Sequence, residues 1–269
     1  MVSAVALRVK NGLRGVRHFL GNMRRWPTHK RYCPVCRSYL AGFRPHGIIP
    51  RPEARCPQCS SLERHRLIWL FMRVRTNLFD GTPKRMLHVA PEPWLGVPLA
   101  RVRGIDRITA DLSNPSAMVR MDLTDAPFPA EEFDIIYCSH VLEHIPNDRR
   151  AMRELYRVLR TGGWAILQVP VLRETTFENP SVTSPAERLH LFGQEDHVRV
   201  YGKDYGDRLT AAGFHVTAED FGATFPPARR RYLGLMEGDY VYFCRKLPTV
   251  LAPTSSVDQT SAEIQDTMS

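Results

Sequence analysis

No apolar run in the chain approaches the roughly 18 residues that a helix needs to cross a bilayer, so no membrane span is expected. The N-terminal residues lack a small-residue cleavage site, and Arg and Lys interrupt their apolar positions, so a secretory leader is not expected either. Cysteine is scarce, six in 269 residues, and four of the six fall in two close pairs. That usage argues against a disulfide framework and for metal binding in a reducing, cytoplasmic setting. Acidic residues are outnumbered, 28 against 37 Lys and Arg, for a formal net charge of +9. An anionic partner would suit that balance, and a solvated basic surface is the plain alternative. With 43% hydrophobic residues, the length suits one α/β domain with a small appendage.

The organising stretch is residues 133–170. Residues 133–139 (FDIIYCS) are almost wholly apolar and rich in β-formers, as in a strand buried on both faces. Residues 147–159 place Met152, Leu155, Tyr156 and Leu159 at helical spacing, with Asn147 or Asp148 as cap and Gly162-Gly163 as stop. Residues 164–169 (WAILQV) read as a second buried strand. Strand, helix and strand at this length form a βαβ unit with a parallel pair and a right-handed crossover. The loop SHVLEH, 139–144, leaves the carboxyl end of the first strand, where open α/β sheets hold ligands.

Five segments are expected along the chain. Residues 1–30 form a basic helix, with peripheral membrane contact as one reading of it. Residues 31–61 carry Cys33-Pro-Val-Cys36 and Cys56-Pro-Gln-Cys59, two knuckles 19 residues apart. Two thiolates two residues apart can bind one Zn²⁺ from a tight turn, and two such turns complete a closed tetrahedral site. Cys33, Cys36, Cys56 and Cys59 are therefore the expected ligands of a structural zinc ribbon. Residues 62–82 form a connecting helix whose polar start, Glu63 to Arg66, reads as solvated. Residues 83–247 form the main domain, with 170–201 as a polar insertion that would act as a substrate lid. Residues 248–269 read as a disordered tail.

Within the main domain, residues 85–90, 107–111 and 118–122 read as three more strands. The second ends at Asp111 and the third at Asp122. An acidic residue at the end of the second strand of a Rossmann-type sheet can bind ribose hydroxyls. Asp122 could accept from an adenine amino group. Each Asp could equally cap a turn.

Together, Asp111 in ITADLS, Asp122 in MDLTDAPFP, FDIIYCSHVLEHIPND and ELYRVLRTGGWAILQVP resemble the class I S-adenosylmethionine-dependent methyltransferases with a VLEHI-type loop. The resemblance covers residues 84–246. It implies a Rossmann-like sheet of seven strands, mostly parallel with one antiparallel edge strand and helices on both faces, and S-adenosylmethionine as methyl donor. It assigns cofactor binding to His88, Ala90 and Glu92 in the first loop, to Asp111 and Leu112, to Asp122 and Leu123, and to Ser139 and His140. The first loop departs from the family. In place of its glycine-rich turn stands HVAPEPW, with no glycine before Gly96.

The insertion is dense in groups able to move a proton or grip an anion. His197 is the first candidate base, because an imidazole titrates near neutral pH. His144 and Glu143 are the others, with a helix-capping or core role as the alternative for His144. Arg173, Gln194, Arg199 and Tyr201 are candidate substrate contacts, Arg199 as a fork for a carboxylate or phosphate. The reading placed first is methyl transfer to a hydroxyl or amine of a small molecule, such as a sugar, glycolipid or secondary metabolite, with an anionic acceptor as one form of it. An RNA methyltransferase that uses the ribbon for recognition is the second reading. A non-enzymatic scaffold with a degenerate fold is the third.

Overall fold

The computed structural model describes residues 30–47 and 50–248. The expected basic N-terminal helix and the C-terminal tail fall outside the described residues. None of the described helices is long and apolar enough to cross a membrane.

The chain begins with two small hairpins. The first pairs β1 (Arg31–Cys33) with β2 (Ser38–Leu40), and the second pairs β3 (Arg44–His46) with β4 (Arg51–Arg55). Helix α1 (Glu63–Arg75) follows. Then come β5 (Lys84–Val89), α2 (Pro93–Leu99), β6 (Ile105–Asp111), β7 (Val119–Arg120) and β8 (Phe133–Ser139). A 3₁₀ turn, Leu142–His144, leads to α3 (Asp148–Val158) and β9 (Leu159–Gln168). Asn147 caps α3 by accepting from the Arg150 amide.

The insertion is expected as a loop and folds instead into β10 (Val171–Arg173), β11 (Phe177–Glu178), α4 (Pro185–Phe192) and β12 (Arg199–Gly202). Its three strands form a sheet of their own in the order β10-β12-β11. Strands of two to four residues are too short to show a period in sequence. The chain ends with α5 (Tyr205–Ala211), β13 (His215–Glu219), α6 (Pro227–Leu233) and β14 (Val241–Arg245).

The main sheet has seven strands in the order β13-β14-β9-β8-β5-β6-β7. β14 is antiparallel to both of its neighbours, and the pairs among β5 to β9 are parallel. The antiparallel strand is therefore not at the edge, as expected, but one place in. The reason lies in composition. In VYFCR of β14, Val241, Tyr242 and Cys244 are buried, as a covered strand requires. HVTAE of β13 has no fully buried residue and suits the solvated edge.

Alternate residues of the sheet feed two cores. Met86, Ile135, Tyr137, Trp164 and Ile166 pack on one face with α1, α2, α6 and the hairpins. Leu87, Val89, Ile136, Cys138, Ala165, Leu167 and Cys244 pack on the other with α3 and α5. The strand order reverses at β5, with β6 on one side and β8 on the other, so a crevice for a ligand is expected at the carboxyl ends of these two strands. A cavity of about 280 Å³ beside Lys84, Asp134 and Trp164 opens at the opposite edge, away from that crevice.

Candidate functional site

The crevice is marked by its backbone. β5 ends at Ala90 with φ 47°, and β8 ends at His140 with φ 55°. Left-handed geometry at a residue other than glycine costs roughly 1–2 kcal/mol, and such strain collects where a ligand is held. Ala90 takes a left-handed backbone conformation that a glycine would adopt without strain. The His140 amide donates to the Gln168 carbonyl, which fixes the turn against β9.

Glu92 follows in the same loop, half-buried. Its Oε1 lies 2.9 Å from His65 Nε2 and 3.6 Å from Arg64, and its Oε2 accepts from the Tyr137 hydroxyl at 3.4 Å. Burial pushes the Glu92 carboxyl up, but contact with His65 and the charge of Arg64 outweigh it and hold the group down at about 2. The His65 ring stacks on Trp94 with centroids 4.3 Å apart, and its Nδ1 accepts from the Leu62 amide. The start of α1 is therefore not solvated as expected, since Glu63, His65 and Arg66 are buried. Asp239, just before β14, faces the same space. Burial raises its carboxyl, against the lowering charges of His140 and Arg64. Asp239 escaped the sequence reading because an acidic residue in a Gly-Asp turn looks like punctuation.

Of the two expected cofactor aspartates, Asp111 ends β6 as expected and Asp122 stands two residues beyond the end of β7, and both do turn work. Asp111 Oδ1 accepts from the amides of Ser113 and Asn114, and Asp122 Oδ1 accepts from the amide and hydroxyl of Thr124. The other oxygen of each takes no hydrogen bond among the described residues. Leu112 is exposed beside Asp111, whereas Leu123 is buried. Ser139 is buried at the end of β8.

Four expectations need correction. His88 is wholly buried within β5, edge-on to Tyr137, with neither ring nitrogen hydrogen-bonded. It is a neutral core residue rather than a cofactor contact. Arg199 is 3% exposed and its donors are spent inside the protein. They reach the carbonyls of Leu142, Ile145 and Pro146 and the Glu178 carboxylate. Tyr201 is buried, and its hydroxyl donates to Asp148, which also accepts from Arg208. Neither Arg199 nor Tyr201 can grip a substrate, and both fasten the insertion to the loop after β8. His197 is buried too, with Nδ1 3.1 Å from the Phe192 carbonyl, and burial and the charge of His144 lower it. It meets Glu143 and His144, and at 6% exposure it is poorly open to an acceptor.

Glu143, His144 and His197 each place a ligand atom within 4.8 Å of the others. Arg173 and Gln194 are exposed on the insertion, and Arg173 lies over the Phe177 ring.

The four knuckle cysteines converge. Cys33 and Cys59 sulfurs are 3.7 Å apart, and those of Cys36 and Cys56 are 3.8 Å apart. Sulfurs at Zn–S bonds of about 2.3 Å in a tetrahedron stand about 3.8 Å from one another, while a disulfide holds them near 2.05 Å. The donor set and spacing fit a zinc ion. Each knuckle closes with a left-handed residue, Arg37 after Cys36 and Ser60 after Cys59, so the two turns are equivalent.

Comparison with known proteins agrees on the domain. Residues 95–167 match the family described as "Methyltransferase domain". A rice protein named 2-methyl-6-phytyl-1,4-hydroquinone methyltransferase 1, chloroplastic, is 39% identical over 54 residues, 20% of this chain and 16% of that protein. The chain thus spans about a sixth of the length of this curated relative. A solved S-adenosylmethionine-dependent methyltransferase from Mesorhizobium loti is 17% identical, covering 66% of this chain and 98% of that one, with a TM-score of 0.43. The Burkholderia thailandensis 1,6-didemethyltoxoflavin-N1-methyltransferase, solved with S-adenosylhomocysteine bound, is 15% identical over 63% of this chain and 73% of that one, with a TM-score of 0.43. The span 95–167, which runs from α2 to β9 and carries Asp111, Asp122, Ser139, His140 and Glu143, is the part of the chain that matches the methyltransferase-domain family.

Proposed function

We propose that the chain transfers a methyl group from S-adenosylmethionine to a hydroxyl or amine of a small molecule. The observation that carries this reading is the crevice at the sheet's switch point, bounded by the left-handed Ala90 and His140 and lying within or beside a methyltransferase domain. Asp111 would hold the ribose hydroxyls through its free oxygen, and Asp122 the adenine amino group. Ala90 and Ser139 would line the methionine end, where ionised Glu92 would meet the amino group. Bound there, the cofactor supplies a methyl group already activated on a sulfonium. The protein's own part is to align the acceptor and keep water out. Half-buried His140 at the crevice lip takes over the base role expected of His197. Arg64 beside the crevice gives an anionic acceptor a counter-charge, and the curated relative, named for a phytyl-bearing hydroquinone, supports a non-polymeric acceptor.

The RNA reading is weaker. Of the ribbon aromatics it needs, Tyr32 is buried and stacked on Tyr232, and Phe43 is buried under Arg66, which leaves Tyr39 exposed. The cysteine cluster is proposed to hold a structural Zn²⁺ in a reducing compartment.

Calorimetry with S-adenosylmethionine and S-adenosylhomocysteine tests the cofactor site. Both should bind the full chain, and Asp111→Ala should weaken them about ten- to a hundredfold, the cost of about 1–3 kcal/mol for lost hydrogen bonds. Absence of binding by either ligand would overturn the reading and leave the scaffold alternative.

A further inference from the structure

We propose that Glu143, His144 and His197 form a second metal site, for a first-row divalent cation such as Zn²⁺, distinct from the cysteine cluster. The three ligand atoms lie within 4.8 Å of one another. Bonds of about 2.0–2.1 Å in a tetrahedron would draw them to about 3.3 Å, within reach of small side-chain adjustments.

Three observations point to a cation. First, the Glu143 side chain is 98% buried, and neither carboxylate oxygen has a hydrogen-bond partner. His140 Nδ1 approaches one of them at 3.3 Å without forming a hydrogen bond. A buried carboxylate left in this state is costly unless a positive charge answers it. Second, the Nε2 atom of buried His197 also lacks a partner. Third, each imidazole has an outer partner of the kind that metal-bound histidines have. His197 Nδ1 lies 3.1 Å from the Phe192 carbonyl, and His144 Nδ1 lies 3.1 Å from Asp196 Oδ2. Such contacts place the proton on Nδ1 and leave Nε2 as the donor to a metal.

The cluster is also built in advance. Glu143 and His144 lie on the 3₁₀ turn after β8, and His197 lies just before β12. The Val198 amide donates to the Glu143 carbonyl at 2.9 Å, and Arg199 grips three more carbonyls of that turn. The backbone contacts therefore hold the three ligands facing one another. Two imidazoles and one carboxylate are borderline donors that suit zinc and its neighbours rather than calcium or magnesium. Three protein ligands leave a fourth position for water or another oxygen ligand. The site does not depend on methyl transfer, since a cation would bind whether or not the crevice holds a cofactor.

The test uses the full chain with its cysteine cluster loaded with Zn²⁺, titrated with Co²⁺ and followed by visible absorption. One further equivalent should bind with ligand-field bands and no thiolate charge-transfer band. Glu143→Gln and His197→Gln should each abolish those bands, and Asp196→Asn should weaken Co²⁺ about ten- to a hundredfold. A wild-type spectrum with no bands beyond those of a thiolate site overturns the proposal, whether or not the variants fold. So do bands that persist in both folded variants. In either case Glu143 would have the His140 ring as its nearest polar neighbour.

Discussion

His88 cannot keep a proton where it sits. It is fully buried in β5, and burial, helped by the charge of Arg107, lowers it to about 4 from an ordinary 6.5. Between those values the unfolded chain takes up a proton that the folded chain refuses, so stability falls as pH falls through that window. The difference corresponds to about 3 kcal/mol. Urea unfolding at pH 7 and pH 4.5 should show a loss of that order from this residue. His88→Phe should remove its share of the pH dependence, and an unchanged slope would contradict the assignment. The neighbouring Ala90 gives a second prediction. Ala90→Gly should relieve left-handed strain and leave stability level or raise it by up to about 1 kcal/mol, offset in part by glycine's greater freedom in the unfolded chain. Thermal unfolding would read it. At this scale the sequence was legible only in part. Asp111 and Asp122 could be placed because a strand end is a fixed address. His88 was misplaced because one residue's step along a strand separates a core position from a ligand-facing loop.

The insertion is the element whose role changed most. Arg199, Arg208, Asp148, Glu178 and Tyr201 form one largely buried network that joins β12 to the start of α3. Removal of one member of such a network strands its partners' charges, at a cost of about 3–5 kcal/mol. Arg199→Ala should therefore destabilise the protein by that order in chemical denaturation. Tyr201→Phe, which removes one hydrogen bond, should cost nearer 1 kcal/mol. If Arg199 contacted substrate instead, its loss would raise KM and leave stability unchanged. The βαβ unit at 133–168 was readable because its periods are long and its caps strong. The insertion was not, because its side chains are polar in composition yet buried through ion pairing. A charged residue answered by a partner distant in sequence looks the same as one answered by water.

Among the described residues, the cysteine cluster and the sheet are packed together through one core. Cys33, Val35 and Phe43 of the hairpins share a hydrophobic core with Trp69 and Phe71 of α1 and Ile135 and Ile166 of the sheet. Arg66 reinforces this junction. It is wholly buried and donates to Ala54 and Ser61 on the ribbon side and to Leu233 and Gly234 at the end of α6. Its guanidinium lies 3.8 Å from the Phe43 ring centroid, and Gly234 must be glycine, since a Cβ there would stand 2.4 Å from that ring. The two knuckles could be read from spacing, but this junction could not, because it joins residues more than 160 apart. The consequence bears on the metal. So short a ribbon has little core of its own, so a metal held by the four cysteines would supply folding free energy, and the shared core would pass its loss on to the sheet. Chelation of a metal loaded on the cysteine cluster, or Cys33→Ser, should therefore lower the unfolding midpoint of residues 30–248 in a single cooperative transition. Near-UV circular dichroism of Trp69 and Trp164 would follow it, with hydrogen exchange in β8 as the independent probe. A ribbon that melted alone, with β8 amides still protected, would show that the two parts are separable despite their common core.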